Sequence, residues 1–436
     1  MPVTVARPRA LRGEIIAPGD KSVSHRAIML NALSHTGTAR ITNFSPGADC
    51  TSTVEIFRAL GVDIAREPGR DGMGDSLTVR GVGLNGLQEP ADVLDAGNSG
   101  TTTRLTSGIL AGRNIVTILT GDDSLKSRPM GRVVDPLRKM GAEITGRAGG
   151  TLAPLVFYGG SLKGTSYQMP VASAQLKSCL LLAGLRADGV TSITQPAESR
   201  DHTERMFSAM GVKLAKNGLE LTLEPSDLET VDIEIPGDIS SAAFWMIAGI
   251  CHPNAELLVR NVGINPTRAG IITLLQQMGA DLTLVDQREV AGEPVADVLV
   301  KSSQLKGVEL SGDIVPLLID EIPVIAVAAA LADGTTTIRD AAELRVKESD
   351  RISASVSWMK GAGIDVTATD DGMVVIGGGS IGGGQFQSYD DHRLAMSLGV
   401  AGLVSDEPIT ILDPDVAGIS YPGFWETIER FGGLVG

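Results

Sequence analysis

The sequence predicts an α/β protein of two similar domains, each assembled from three repeats of one helix-and-strand unit. Three observations predict it. A phrase in which a helix ends on glycine and a strand begins recurs six times. An apolar helix of small residues opens behind a turn six times, and two nearly identical phrases begin one repeat in each half.

The helix-end phrase runs Ala59-Leu60-Gly61-Val62-Asp63-Ile64, Lys139-Met140-Gly141-Ala142-Glu143-Ile144, Ala209-Met210-Gly211-Val212-Lys213-Leu214 and Gln277-Met278-Gly279-Ala280-Asp281-Leu282. It returns as Ala362-Gly363-Ile364-Asp365-Val366 and, weaker, as Phe431-Gly432-Gly433-Leu434. Glycine just past a helix is the expected left-handed cap, so each copy closes a helix and opens a strand. The apolar helices start near Gly19-Asp20-Lys21-Ser22, Gly97-Asn98-Ser99-Gly100, Ser173-Ala174-Gln175, Gly237-Asp238-Ile239-Ser240, Asp320-Glu321-Ile322-Pro323 and Tyr389-Asp390-Asp391-His392. Being apolar on most faces, they are expected to be buried.

The matching phrases Ile16-Ala17-Pro18-Gly19-Asp20 and Glu234-Ile235-Pro236-Gly237-Asp238 read as two crossings between domains, near 18–20 and 236–238. One domain then holds residues 20–237; the other holds 238–436 and is closed by an N-terminal strand from 1–19. With no Ser- or Pro-rich linker between them, the halves are expected to meet across a cleft. Buried helices aimed at that cleft would bring several N-termini together, each with unsatisfied N–H groups and partial positive charge. Such a place attracts phosphates and carboxylates.

Composition narrows the function. At 436 residues with 43% apolar content, the chain can bury two cores. Aromatic residues make up only 3%, too few for the stacking platforms of single-stranded nucleic acid. A net charge of −15 disfavours nucleic acid and anionic membranes as partners. The longest purely apolar run, Val324 to Ala332, has core length, and the first residues lack the apolar core of a signal peptide. Three widely spaced cysteines, Cys50, Cys179 and Cys251, suggest neither a disulfide framework nor a zinc site. A soluble cytoplasmic protein is expected.

In an acidic chain, basic residues gathered at helix starts stand out. Lys21, Ser22 and Arg26 open the first helix; Gly100, Thr101 and Arg104 the second, with Arg128 following; Ser173 and Gln175 the third, with Ser199 and Arg200 after it. The second half offers Asp320, Arg345-Val346-Lys347-Glu348-Ser349-Asp350-Arg351 and Asp391-His392-Arg393. Singly, each has a plain reading: Asp390 or Asp391 caps a helix, His392 packs, and Arg345 to Arg351 forms an amphipathic charged helix. Their recurrence at equivalent repeat positions favours function, because phosphates and carboxylates need forked donors.

The segments Gly19-Asp20-Lys21-Ser22-Val23-Ser24-His25-Arg26, Gly97-Asn98-Ser99-Gly100-Thr101 with Arg104, Arg128-Pro129-Met130, Arg345 to Arg351 and Asp391-His392-Arg393-Leu394-Ala395-Met396 resemble those of the 5-enolpyruvylshikimate-3-phosphate synthase family. The resemblance spans essentially the whole chain. It implies two domains of three βαβαββ-type units each, an inside-out α/β barrel with the active site in the interdomain cleft. It also implies transfer of the enolpyruvyl group of phosphoenolpyruvate to shikimate 3-phosphate, a step towards aromatic amino acids, without metal or organic cofactor.

By that resemblance Lys21 touches phosphoenolpyruvate and the attacking hydroxyl. Arg128, Arg351 and Arg393 hold phosphoenolpyruvate, with Gly100 and Gln175 beside it. Ser22, Arg26, Ser173, Ser199 and Lys347 hold shikimate 3-phosphate. Asp320 bonds the reacting hydroxyl, Glu348 protonates the methylene carbon, and Asp49 supports them, as do Asn98, Thr101, Arg104 and His392. Ala174, Arg200, Glu343 and Ile419 depart from one branch, where serine, tyrosine, asparagine and lysine are common; Ala174 and Arg200 stay among the substrate-binding candidates. Arg200-Asp201-His202-Thr203-Glu204, Ser173-Ala174-Gln175-Leu176-Lys177 and Asn265-Pro266-Thr267-Arg268 resemble the branch often tolerant of glyphosate. Gly100, however, is the small residue of sensitive enzymes, so glyphosate enters only as a candidate inhibitor.

Two rivals remain. The sister enzyme that acts on a UDP-sugar (UDP-N-acetylglucosamine enolpyruvyl transferase) usually has a reactive cysteine where this chain has Asp123. A non-catalytic anion-binding repeat scaffold would have no use for Asp320 and Glu348.

Overall fold

A computed structural model describes residues 1–35, 37–69 and 74–435. The chain divides into two compact units. The 19–235 unit comprises Gly19–Ile235 with Glu289–Glu293; the 236–436 unit comprises Met1–Pro18, Pro236–Arg288 and Pro294–Gly436. Each has its own apolar core, built largely from Ala, Val, Ile, Leu and Met.

Among the described residues the repetition expected from sequence is present as six four-stranded sheets, three to a unit. In the first, Ile233–Glu234 lies parallel to Thr38–Phe44, and Asp75–Arg80 then Ile64–Glu67 follow antiparallel. The sheets around Thr117–Thr120 and Thr191–Thr194 repeat that order. In the 236–436 unit the N-terminal residues contribute twice. Leu11–Ile16 pairs in parallel with Ala255–Gly263, and Val3–Val5 sits between Ile409–Ile411 and Leu434–Val435.

Six mostly buried helices accompany the sheets: Lys21–Leu33, Gly100–Leu110, Ala174–Gly184, Ile239–Cys251, Ile322–Leu331 and His392–Val404. Six others end on the repeated glycine, and Gly61, Gly141, Gly211, Gly279, Gly363 and Gly432 all have positive φ. That region is open to glycine at little steric cost, which explains why one residue type recurs there.

Small residues let the buried helices approach closely. A methyl at Gly108 would lie 2.1 Å from the carbonyl oxygen of Cys179 on the Ala174–Gly184 helix. Gly108→Ala is therefore expected to cost about 2 kcal/mol through forced separation of two helices. Urea unfolding checks this; an unchanged midpoint would refute the close-packing argument.

One expectation is corrected. Arg345 to Arg351 is not a charged helix: a 3-10 turn covers Ala342–Val346, and the following helix begins only at Arg351. Asp350 caps that helix, accepting from Ser353 N at 3.0 Å. A polar run with Ser and Asp near its end favours side-chain caps over continued helix. Among the described residues no helix is long and apolar enough to cross a membrane.

Candidate active site

The capped N-termini of the buried helices carry most of the candidate residues. In the 19–235 unit, Asp20, Ser99 and Ser173 accept from Val23 N, Thr102 N and Leu176 N, at 2.8, 3.1 and 3.3 Å. Ser22, Gly100, Thr101, Ala174 and Gln175 thus sit on capped first turns, with Arg26 and Arg104 one turn further along. Arg26 is 4% exposed. Its guanidinium donates to Thr203 Oγ1 (2.7 Å), Ser178 Oγ (2.8 Å) and Ser22 O (2.9 Å), and burial pushes its pKa down to about 10. It remains a cation at neutral pH, held by neutral oxygens.

Lys21 Nζ lies 3.1 Å from Asp49 Oδ2. Burial pushes the Asp49 carboxyl up, but Lys21, then His25, pull it below its ordinary value. His25 is fully buried; desolvation lowers its pKa to about 3, so it is neutral. Its Nδ1 is 2.7 Å from Thr53 Oγ1, which is 2.7 Å from Thr102 Oγ1, which donates to Ser99 Oγ at 2.7 Å. This hydroxyl chain ties the Lys21 and Gly100 helix starts to the Asp49 helix.

Around Gly100 two arginines are oriented by amides. Arg104 Nη1 donates to Gln175 Oε1 (2.6 Å), whose Nε2 donates to Thr101 Oγ1 (2.9 Å). Burial pushes Arg104 down to about 10, and Arg132 and Arg128 add to that. Arg128 donates to Asn98 Oδ1 (2.6 Å) and Ser124 Oγ (3.1 Å). A methyl on Gly100 would lie 3.1 Å from Arg104 Nη1 and 3.5 Å from Arg128 Nη1. Ser199 is further along: its Oγ donates to Gln195 Oε1 (2.6 Å), while its carbonyl accepts from Lys177 Nζ (3.1 Å). Arg200 is half-buried beside it.

The 236–436 unit brings together Asp320, Lys347, Glu348, Arg351 and Arg393. Asp320 Oδ1 is 3.7 Å from Lys347 Nζ and 3.5 Å from Arg351 Nη1. Arg351, only 1% exposed, donates to Glu348 Oε2 (2.6 Å) and, as a fork, to Asp391 (2.7 and 3.3 Å). Burial pushes the Glu348 carboxyl up, but Arg351 and then His392 outweigh it and hold it below the ordinary range. Lys347 also bonds Glu343 Oε1 at 2.8 Å. Arg393 Nη1 donates to Asp320 O (3.2 Å) and lies 3.8 Å from Glu321 Oε1. Ile419 is 41% exposed.

Several residues of these networks escaped the sequence reading. Asp391 reads in sequence as a cap and as part of the Asp391-His392-Arg393 segment, yet it is also the carboxylate that takes the fork of Arg351. Glu321, 2% exposed, accepts from Ser240 Oγ and lies 3.8 Å from both Arg268 and Arg393. Lys177, wholly buried, pairs with Glu204 at 2.6 Å. A signal did exist: a charge beside an apolar buried helix must be paired to be tolerated. Among the described residues no cluster of His, Cys, Asp and Glu suits a metal ion.

Lys21, Arg26, Arg104 and Arg393, fixed near the starts of three of the buried helices and set beside paired carboxylates, form a donor set suited to phosphate- and carboxylate-bearing ligands. A family model described as EPSP synthase (3-phosphoshikimate 1-carboxyvinyltransferase) matches residues 5–428. The 3-phosphoshikimate 1-carboxyvinyltransferase of a Synechococcus species is 53% identical, covering 98% of this chain and 96% of its own. That of Pelobacter propionicus is 51% identical over 98% of each. The solved EPSP synthase of Acinetobacter baumannii matches with a TM-score of 0.91 at 44% identity, covering 100% of this chain and 98% of that one. The chain belongs to the EPSP synthase family.

Proposed function

We propose that this protein is a 3-phosphoshikimate 1-carboxyvinyltransferase. It moves the enolpyruvyl group of phosphoenolpyruvate to the 5-hydroxyl of shikimate 3-phosphate, releasing phosphate, within aromatic amino-acid biosynthesis. Family membership over nearly the full length supports the reading. The observation that carries it to residues is the Asp320, Lys347, Glu348, Arg351 constellation, a set of paired acidic and basic side chains that a mere anion scaffold does not need.

In the proposed mechanism the 19–235 unit mainly holds shikimate 3-phosphate, through Ser22, Arg26, Ser173, Ala174, Ser199 and Arg200, and Lys347 binds it too. Arg128, Arg351 and Arg393 hold phosphoenolpyruvate, with Gly100 and Gln175 beside it. The 5-hydroxyl oxygen bonds to carbon 2 while its proton passes to Asp320, Lys21 lying on the same oxygen. Glu348 gives a proton to carbon 3. The bond from carbon 2 to the bridging phosphate oxygen then breaks, the departing phosphate takes up the proton held on Asp320, and the new methyl group returns a proton to Glu348, restoring the double bond and the enzyme's charge state. Fixed cations make the approach of two anions tolerable.

Glu348 needs a proton to serve, yet Arg351 favours its ionised form. An arriving carboxylate that neutralises Arg351 removes that bias and raises the proton affinity of Glu348. Asp123 pairs with Lys126 Nζ at 3.0 Å where the UDP-sugar enzyme carries its thiol, which disfavours that rival. Cytoplasmic location, a monomeric state and competition by glyphosate, whose phosphonate and carboxylate suit the same cations, belong to this proposal.

The test is phosphate release from phosphoenolpyruvate, with and without shikimate 3-phosphate. Release that depends on both compounds is expected. Release indifferent to the shikimate compound would overturn the assignment.

A further inference from the structure

The strand pair Asp281–Val290 and Glu293–Lys301 turns tightly at Ala291-Gly292, both with positive φ (48° and 83°). Such a turn ordinarily takes Asn-Gly or Gly-Gly. Here an alanine occupies the strained position, and its methyl packs on the apolar core of the 19–235 unit, to which Glu289–Glu293 belongs. The turn also approaches the His202–Ala209 helix closely. A methyl on Gly292 would sit 3.1 Å from the Arg205 carbonyl oxygen. Arg205 Nη1 donates to Gly292 O at 3.0 Å, and its Nε to Asp201 Oδ1 at 2.9 Å.

Glu293 completes the junction. Only 3% exposed, it places Oε1 2.8 Å from His202 Nδ1, and His202 is itself 2% exposed. His202 stands between two functional neighbours. Ser199 and Arg200 precede it; Thr203 follows, accepting from Arg26 Nε and lying 2.7 Å from Ser178 Oγ, the other hydroxyl that orients Arg26.

We infer that Glu293 is a positioning residue for shikimate 3-phosphate. Through His202 it fixes the segment 199–203, and through Thr203 it fixes the direction of the Arg26 guanidinium. It touches no substrate. The inference rests on the proposed role of Arg26, Ser199 and Arg200 in holding that ligand. A purely structural role would lower stability and leave the two substrates equally affected; a positioning role singles out one of them.

The test compares Glu293→Ala, Glu293→Gln, Gly292→Ala, Arg26→Lys and the double variant Glu293→Ala/Arg26→Lys in the full chain. Steady-state kinetics for each substrate, calorimetric binding of shikimate 3-phosphate and thermal melting are measured. Glu293→Ala and Gly292→Ala are expected to raise KM for shikimate 3-phosphate about tenfold, with KM for phosphoenolpyruvate within about twofold. Glu293→Gln, which retains an acceptor oxygen for the ring N–H, restores most of the affinity. The double variant binds only slightly worse than Arg26→Lys, since both changes disable one device. Unchanged affinity in Glu293→Ala, equal rises in both KM values, or fully additive effects would each overturn the inference. Should Arg26→Lys itself leave shikimate 3-phosphate binding intact, the failure lies with the assigned site rather than with Glu293. A Glu293→Ala chain that does not fold shifts the decision to the Gln and Gly292 variants.

Discussion

Lys21→Ala is expected to lower kcat by about 1,000-fold or more, while the protein still folds and melts close to the parent. The side chain is 35% exposed, and its helix stays capped by Asp20 whatever stands at position 21. Loss of the Lys21–Asp49 ion pair, partly screened by water, costs at most about 1 kcal/mol. The pH response offers a second readout. With its folded pKa depressed, Asp49 contributes stability above the ordinary carboxyl range, and that contribution is lost as pH falls through the folded value. Without Lys21 the depression shrinks, so less stability is left to lose on acidification and the acid limb of the stability–pH curve flattens. Lys21→Arg keeps the charge but not the compact ammonium, so stability is expected to return without most of the turnover. Activity of Lys21→Ala within about tenfold of the parent, in a folded sample, would sink the assignment.

The parts of this molecule that repeat were legible in its sequence, because periodicity averages over local ambiguity. Six glycines in the left-handed region stand where Gly61, Gly141 and their equivalents predict them, since no other residue enters that conformation as cheaply. The buried helices were equally plain, having apolar residues on every face. What sequence could not supply was the pairing of side chains far apart in the chain. Asp391 looked like a cap and is one, but its bond to Arg351 joins residues 40 apart, which no local pattern encodes. The same holds for Arg26, Ser178 and Thr203. For Arg345 to Arg351 only the plain alternative of a charged helix gives way: the charges suit a helix face, while Ser349 and Asp350 favour a late start.

The largest stability effect is expected at Asp391. Its carboxylate accepts from Arg351 Nε (2.7 Å) and Nη2 (3.3 Å), from Ser349 Oγ (3.0 Å) and from Arg393 N (2.9 Å). It is therefore counter-ion and helix cap at once, in a place 0% exposed. Asp391→Ala leaves a buried guanidinium short of its best partner and a helix N-terminus uncapped, at a cost of about 4 kcal/mol. Asp391→Asn keeps the cap and the volume, so roughly half that loss is expected. Burial pushes the Asp391 carboxyl up, yet Arg351 holds it below the ordinary range, as it does Glu348. The linkage sign follows: both contribute stability above the unfolded value of about 4 and lose it as pH falls through their depressed folded values. Removal of Asp391 should therefore flatten the acid limb of a stability–pH curve, measured by denaturant unfolding between neutral pH and the acid transition. Arg351→Met leaves Asp391, Glu348 and Asp320 facing one another without their shared cation, and should destabilise at least as strongly. The double variant Arg351→Met/Asp391→Leu separates a charge imbalance from a loss of packing. With neither charge left buried without its partner, it should be more stable than either single variant. A double variant whose loss equals the sum of the two singles would mean that Arg351 and Asp391 stabilise the protein independently, and that their fork is not the unit that holds the 236–436 unit together.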